Sequence, residues 1–96
     1  MLTHSQLIKL NRWAKEVHGK IIFYFEGHTF TLVLDGVIHA EDTTGRRASW
    51  STAFGPQSPS DVISSYKVRK IVVRIEDNEL TFKSMKEFME YASKIL

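Results

Sequence analysis

The side chains of this 96-residue chain that could act on another molecule are histidines, one acidic pair and a group of arginines, lysines and aromatics. His4, His18, His28 and His39 are scattered, with neither the His-x-His nor the His-Glu-x-x-His spacing that puts two imidazoles on one metal ion. Glu41 and Asp42 are adjacent, so on a strand they point to opposite faces and cannot share one proton-transfer task. The chain has no cysteine, which removes thiolate zinc sites, disulfides and cysteine nucleophiles together. It also lacks a glycine-rich phosphate loop and a G-x-S-x-G elbow. The expectation is a protein that is not an enzyme and uses neither a cofactor nor a metal.

What remains is recognition. The whole chain carries a formal charge of +2, too little to argue for a polyanionic partner, but the charge is uneven. Residues 44–75 hold six basic side chains and one acidic one, while acidic residues outnumber basic ones on either side. Within that segment Arg46, Arg47, Trp50 and Phe54 combine two guanidinium groups with two large aromatics beside Gly55-Pro56, the residue types that dominate interface hot spots. Lys67, Arg69, Lys70 and Arg74 form a second basic stripe. The reading this favours is a small binding protein acting through a protein–protein interface, as an inhibitor, adaptor or regulatory subunit. The alternative is a nucleic-acid-binding protein that uses the basic middle, with Trp50, Tyr66 or Tyr24 stacking on bases. A core role for Trp50 competes with either, because tryptophan is usually largely buried. Pairing of two copies is compatible with both. A membrane partner is not expected: Lys9, Arg12, Lys15 and Glu16 interrupt the first twenty residues, and no apolar run reaches spanning length. Together with the missing cysteines, this points to a soluble protein of the cytoplasm.

These residues need a frame, and its nucleus is Lys20 to Ala40. Gly27-His28 and Asp35-Gly36 divide it into three runs rich in β-branched and aromatic residues, which predicts a three-stranded meander. A two-residue loop at Gly27-His28 pairs Phe25 with Phe30, Phe23 with Leu32 and Ile21 with Leu34 on one apolar face. The other face holds Ile22, Tyr24 and Val33, so it is either covered or used for binding. A type I′ turn at Asp35-Gly36 would pair Leu34 with Val37 and bring His39 opposite Leu32 on the core side, with Ile38 on the other face.

Before the meander, Thr3 and Gln6 form a capping box for a helix from about residue 4 to 18, with Gly19 placed as its left-handed cap. After it, Arg46 to Thr52 alternates as a fourth strand, setting Trp50 opposite Val37. Ala53 to Ser60 has the composition of a long loop, and Ser58-Pro59 opens a short helix. Val68 to Glu76 and Glu79 to Lys83 read as a hairpin joined at Asp77-Asn78, pairing Ile75 with Leu80 and Val73 with Phe82. Ser84 and Glu87 then cap a C-terminal helix whose stripe includes Phe88 and Ala92. The expected fold is α+β in one domain over residues 1–96: a mainly antiparallel sheet of five or six strands, in the order α-β-β-β-β-α(short)-β-β-α, with the terminal helices packed on it.

Overall fold

The computed structural model describes residues 2–96 and has the expected α+β architecture. Its order is α1 (His4–Glu16), β1 (Gly19–Phe25), β2 (Thr31–Leu34), β3 (Ile38–Glu41), β4 (Arg47–Ala48), α2 (Trp50–Phe54), α3 (Pro59–Ser65), β5 (Val68–Ile75), β6 (Asn78–Phe82) and α4 (Met85–Ala92). The six strands form one antiparallel sheet in the spatial order β4-β3-β2-β1-β5-β6. β1 lies inside it, hydrogen-bonded to β2 on one side and β5 on the other.

Alternation along the strands gives the two faces different work. Ile21, Phe23, Phe25, Leu32, Leu34, Ile71 and Val73 point to one face and meet Leu7, Leu10, Ala14, Phe54, Val62, Phe88 and Ala92 from the four helices in one buried cluster. Phe88 packs edge-to-face on Phe23 with centroids 5.6 Å apart. Ile22, Val33 and Val72 lie on the opposite face in a separate small cluster with Tyr24, and no helical residue joins them. All four helices therefore cover one side of the sheet.

The β1–β2 register is the expected one for Ile21 on Leu34 and Phe23 on Leu32, but β2 begins at Thr31, so the expected Phe25–Phe30 pair lies beyond the ladder. At the next turn the expectation fails. Leu34 pairs with Ile38 instead of Val37, because the connection holds three residues, Asp35, Gly36 and Val37. A type I′ turn needs positive φ at both central residues, and here Gly36 alone has it, at 107°. The Asp35 carboxylate accepts the Val37 N–H at 3.3 Å, and the Gly36 N–H donates to Asn11 Oδ1 on α1 at 2.9 Å. One residue of slip exchanges the faces. His39 therefore stands opposite Val33 on the open face, and Ile38 joins the core side.

The fourth strand is also shorter than alternation implied, at Arg47 and Ala48 only. Ser49 takes an extended conformation as an N-cap, and α2 follows, ending at Gly55 with φ of 65°. A helix lets Trp50, Ala53 and Phe54, spaced i, i+3 and i+4, turn the same way. Trp50 is thus not opposite Val37. The loop after it reduces to Gly55-Pro56-Gln57 before the Ser58 cap of α3.

Two smaller corrections follow the same logic. His18 adopts the left-handed conformation at the end of α1, while Gly19 begins β1, where a Cβ would come within 3.0 Å of the Arg74 carbonyl oxygen. The β5–β6 loop is Glu76-Asp77, so Val73 pairs with Leu80 and Ile71 with Phe82. That shift is two residues, which keeps every apolar side chain on its expected face.

Candidate functional site: the open face of the sheet

Strand register lays out the uncovered face in rows. One row runs Arg47, Glu41, Thr31 across β4, β3 and β2, continuing to Tyr24 on β1 and Lys70 on β5. The next holds His39, Val33, Ile22, Val72 and Thr81. A third holds Lys20, Arg74 and Glu79. Three apolar side chains sit at the centre with polar and charged ones around them.

The apolar centre is not a surface patch. Ile22 is 5%, Val33 0% and Val72 4% exposed, although no helix lies above them. Lys20 and Glu41 are diagonal neighbours with Val33 between them, and their side chains meet across it, Nζ to Oε2 at 3.0 Å and to Oε1 at 3.2 Å. A lysine stem laid over apolar surface in this way shields it while its ammonium stays polar. His39 closes the other side. Its Nε2 is 2.7 Å from Glu41 Oε2 and its Nδ1 is 2.9 Å from the Val37 carbonyl oxygen. Both neighbours are acceptors, so the imidazole is held between two oxygens. Burial pushes the Glu41 carboxyl upward, but hydrogen bonds from His39 and Lys20, and the charge on those groups, outweigh it and hold the carboxyl below its ordinary value.

Asp35, His39 and Glu41 also bring ligand atoms within 4.8 Å of one another, the grouping among the described residues that could hold a metal ion. The Lys20 ammonium already occupies the cation position against Glu41, and both His39 nitrogens are engaged. The cluster is built as an ion-pair network that roofs Val33.

Beside this roof stands Tyr24, half-buried. β5 carries one extra residue opposite the Tyr24–Phe25 step: Tyr24 pairs with Lys70, Phe25 with Val68, and Arg69 lies between. Bulges commonly re-aim side chains, and this one brings two cations to one ring. The Lys70 ammonium is 4.7 Å and the Arg69 guanidinium carbon 5.8 Å from the Tyr24 centroid. Two clefts meet at Tyr24, Thr31 and Thr43. One, of about 220 Å³, runs toward Lys20, Glu41, Asp42 and Arg74. The other, of about 460 Å³, runs toward Gly27, His28 and Arg69. The Asp42–Gly45 turn borders the first, with Asp42 Oδ1 accepting from Thr44 N, Thr44 Oγ1 and Arg46 N.

The sequence-derived residues separate. Arg46 and Arg47 are exposed at the β4 edge, Arg47 on the open face opposite Glu41. Phe54 is 2% exposed and belongs to the core. Trp50 is half-buried against that core, its Nε1 donating to the Gln57 carbonyl oxygen at 2.7 Å. Tyr66 joins the same joint, stacked on His28 with centroids 4.8 Å apart. Of the second stripe, Lys67 pairs with Glu26 at 3.4 Å and Arg74 with Glu79 at 3.1 Å. Arg69 and Lys70 have no carboxylate partner among the described residues. Sequence reasoning missed the meeting of Arg69 with Tyr24, because alternation sends Arg69 to the core side and only the bulge reverses it. It also missed His39 as a roof over Val33, for want of the three-residue turn.

Compared with known proteins, the chain matches no family model, no curated protein and no solved structure. No helix among the described residues is long and apolar enough to cross a membrane.

Proposed function

We propose that the protein is a binding protein rather than an enzyme, and that its open sheet face takes a nucleic acid. The observation that carries this reading is Tyr24 flanked by Arg69 and Lys70 at the junction of two clefts, on the face that no helix covers. Cations supply affinity for phosphate and an aromatic ring accepts a base, a combination that tolerates any sequence. Magnitudes favour exchange of partners on the ring. A cation–π contact at an exposed site is worth about 0.5–1 kcal/mol, whereas a base stacked on an aromatic side chain contributes about 1–3 kcal/mol. Each cation that leaves the ring also gains a phosphate.

An apolar protein interface has less to work with here. The large apolar side chains exposed among the described residues are Ile8 on α1, Val37 in the β2–β3 turn and Leu80 on β6, and Phe54 is inside. A protein with an acidic surface is the second reading, favoured by exposed Arg46 and Arg47 on the β4 edge.

Anisotropy titrations of labelled oligonucleotides over a range of salt concentrations test the proposal. The expected result is a dissociation constant of about 10⁻⁴ to 10⁻⁶ M at physiological salt, with log affinity falling linearly against log salt. Arg69→Glu with Lys70→Glu should weaken binding by at least about 10-fold and flatten that slope by about 0.7 per cation removed. No binding tighter than about 10⁻⁴ M even at low salt would contradict the proposal. An acidic protein partner would instead show a shallower salt dependence and respond to Arg46→Glu with Arg47→Glu.

A further inference from the structure

We infer that Tyr24 is the platform for one unpaired base of a single strand, whose sugar–phosphate backbone runs along the β5 side of the face. This rests on the nucleic-acid reading above and adds the form of the ligand and its placement. In a duplex the faces of the bases are stacked on each other and unavailable to a protein ring, so an aromatic platform selects unpaired bases. Tyr24 is suited to the task because it packs with the Ile22, Val33 and Val72 cluster and takes no part in the helix-covered core, which leaves it partly open.

The charges around the ring fix the placement. On the β5 side Arg69 and Lys70 are without acidic partners among the described residues and can follow phosphates. On the β3 side Glu41 and Asp42 line the smaller cleft and are both held in the ionised form, Glu41 by His39 and Lys20, Asp42 by Thr44 and Arg46. Lys20 and Arg74 line the same cleft but are matched by Glu41 and Glu79, so among its described residues it offers a phosphate no unmatched cation, while the Asp42 carboxylate can accept the amino protons of a base edge. The base therefore points toward β2 and β3, over Thr31 and Thr43, and the backbone stays over β5. Arg69 and Lys70 swing from the ring to the phosphates as the base arrives.

The test uses the full chain and a short single strand carrying a fluorescent adenine analogue whose emission is quenched by stacking, beside a duplex of the same length. The wild type should quench the analogue and bind the single strand more tightly than the duplex. Tyr24→Ala should weaken single-strand binding by about 10-fold and abolish quenching, while Tyr24→Phe keeps both. Tyr24 packs on the Ile22, Val33 and Val72 cluster, so Tyr24→Ala is expected to lower the melting temperature and is compared where it is folded, while Tyr24→Phe keeps the ring and is expected to melt like the wild type. The inference is overturned if folded Tyr24→Ala binds and quenches like the wild type, if Tyr24→Phe loses as much as Tyr24→Ala, or if the duplex binds more tightly. In each of those cases nucleic acid still binds, so the nucleic-acid reading survives without this placement. If neither strand nor duplex binds the wild type, both readings fall together.

Discussion

At the scale of single residues, Glu41 shows how one side chain can serve both stability and surface chemistry. Its carboxylate is buried on the open face, accepts from Lys20 and His39, and with them shields Val33 from water. A carboxyl whose folded-state value is depressed contributes stability that is present in full above its unfolded value and is lost as pH falls through the folded one. For Glu41 that window lies below its ordinary value of 4.5. Asp42, also depressed, acts in the same direction, so comparison with Glu41→Gln isolates the first group. We expect Glu41→Gln to lower stability at neutral pH by about 1–3 kcal/mol, the usual consequence of weakening hydrogen bonds to a charged group. The difference from wild type should shrink as pH falls from 5 toward 3. Urea melts at a series of pH values measure this, and a difference that stays constant or grows on acidification would show that the carboxylate is not the stabilising species.

Elements were legible in the sequence wherever one physical signal dominated. The Thr3–Gln6 box forms as drawn, with Gln6 N donating to Thr3 Oγ1 at 3.2 Å and Thr3 N to Gln6 Oε1 at 3.0 Å. The Phe23–Leu32 register and the Ser58 and Ser84 caps are likewise as expected. The misses lie where two signals compete. Asp35-Gly36 has the composition of a two-residue turn, but Asn11 on α1 captures the Gly36 N–H, a contact that becomes visible only once the helix is docked. Ser51 and Thr52 suit a strand, and a five-residue helix is too short for its period to compete, yet the burial of Ala53 and Phe54 decides for helix. Arg69 was legible as a cation but not as a neighbour of Tyr24, since a bulge leaves no mark in hydrophobic alternation. Gly19 illustrates the same lesson, for what its position requires is close approach between β1 and β5 and not a left-handed cap. We expect Gly19→Ala to destabilise the protein by about 1–3 kcal/mol, as overpacking does when the obstructing atom is a backbone oxygen. A thermal or urea melt equal to wild type would mean that β1 and β5 can separate without loss.

At the scale of the whole molecule, the fold divides labour between the two sides of one sheet. Four helices and the larger apolar cluster supply stability on one side, and the other is left to polar and charged groups that enclose three aliphatic residues. The near-neutral net charge conceals this arrangement, because on this face Lys20 and Arg74 are matched by Glu41 and Glu79, while the β5 bulge brings Arg69 and Lys70, with no carboxylate partner among the described residues, to one ring. Exposed ion pairs such as Lys67–Glu26 contribute little to stability and little net field. Arg69 and Lys70 are therefore the cations best placed to attract a polyanion to this face. The most direct test is to locate the ligand on the protein. Amide correlation spectra recorded as a short single strand is added should show shifts at Tyr24, Thr31, Thr43, Arg69 and Lys70, with α1 and α4 unchanged. Shifts confined to the helical side, with the open face silent at saturation, would contradict the account.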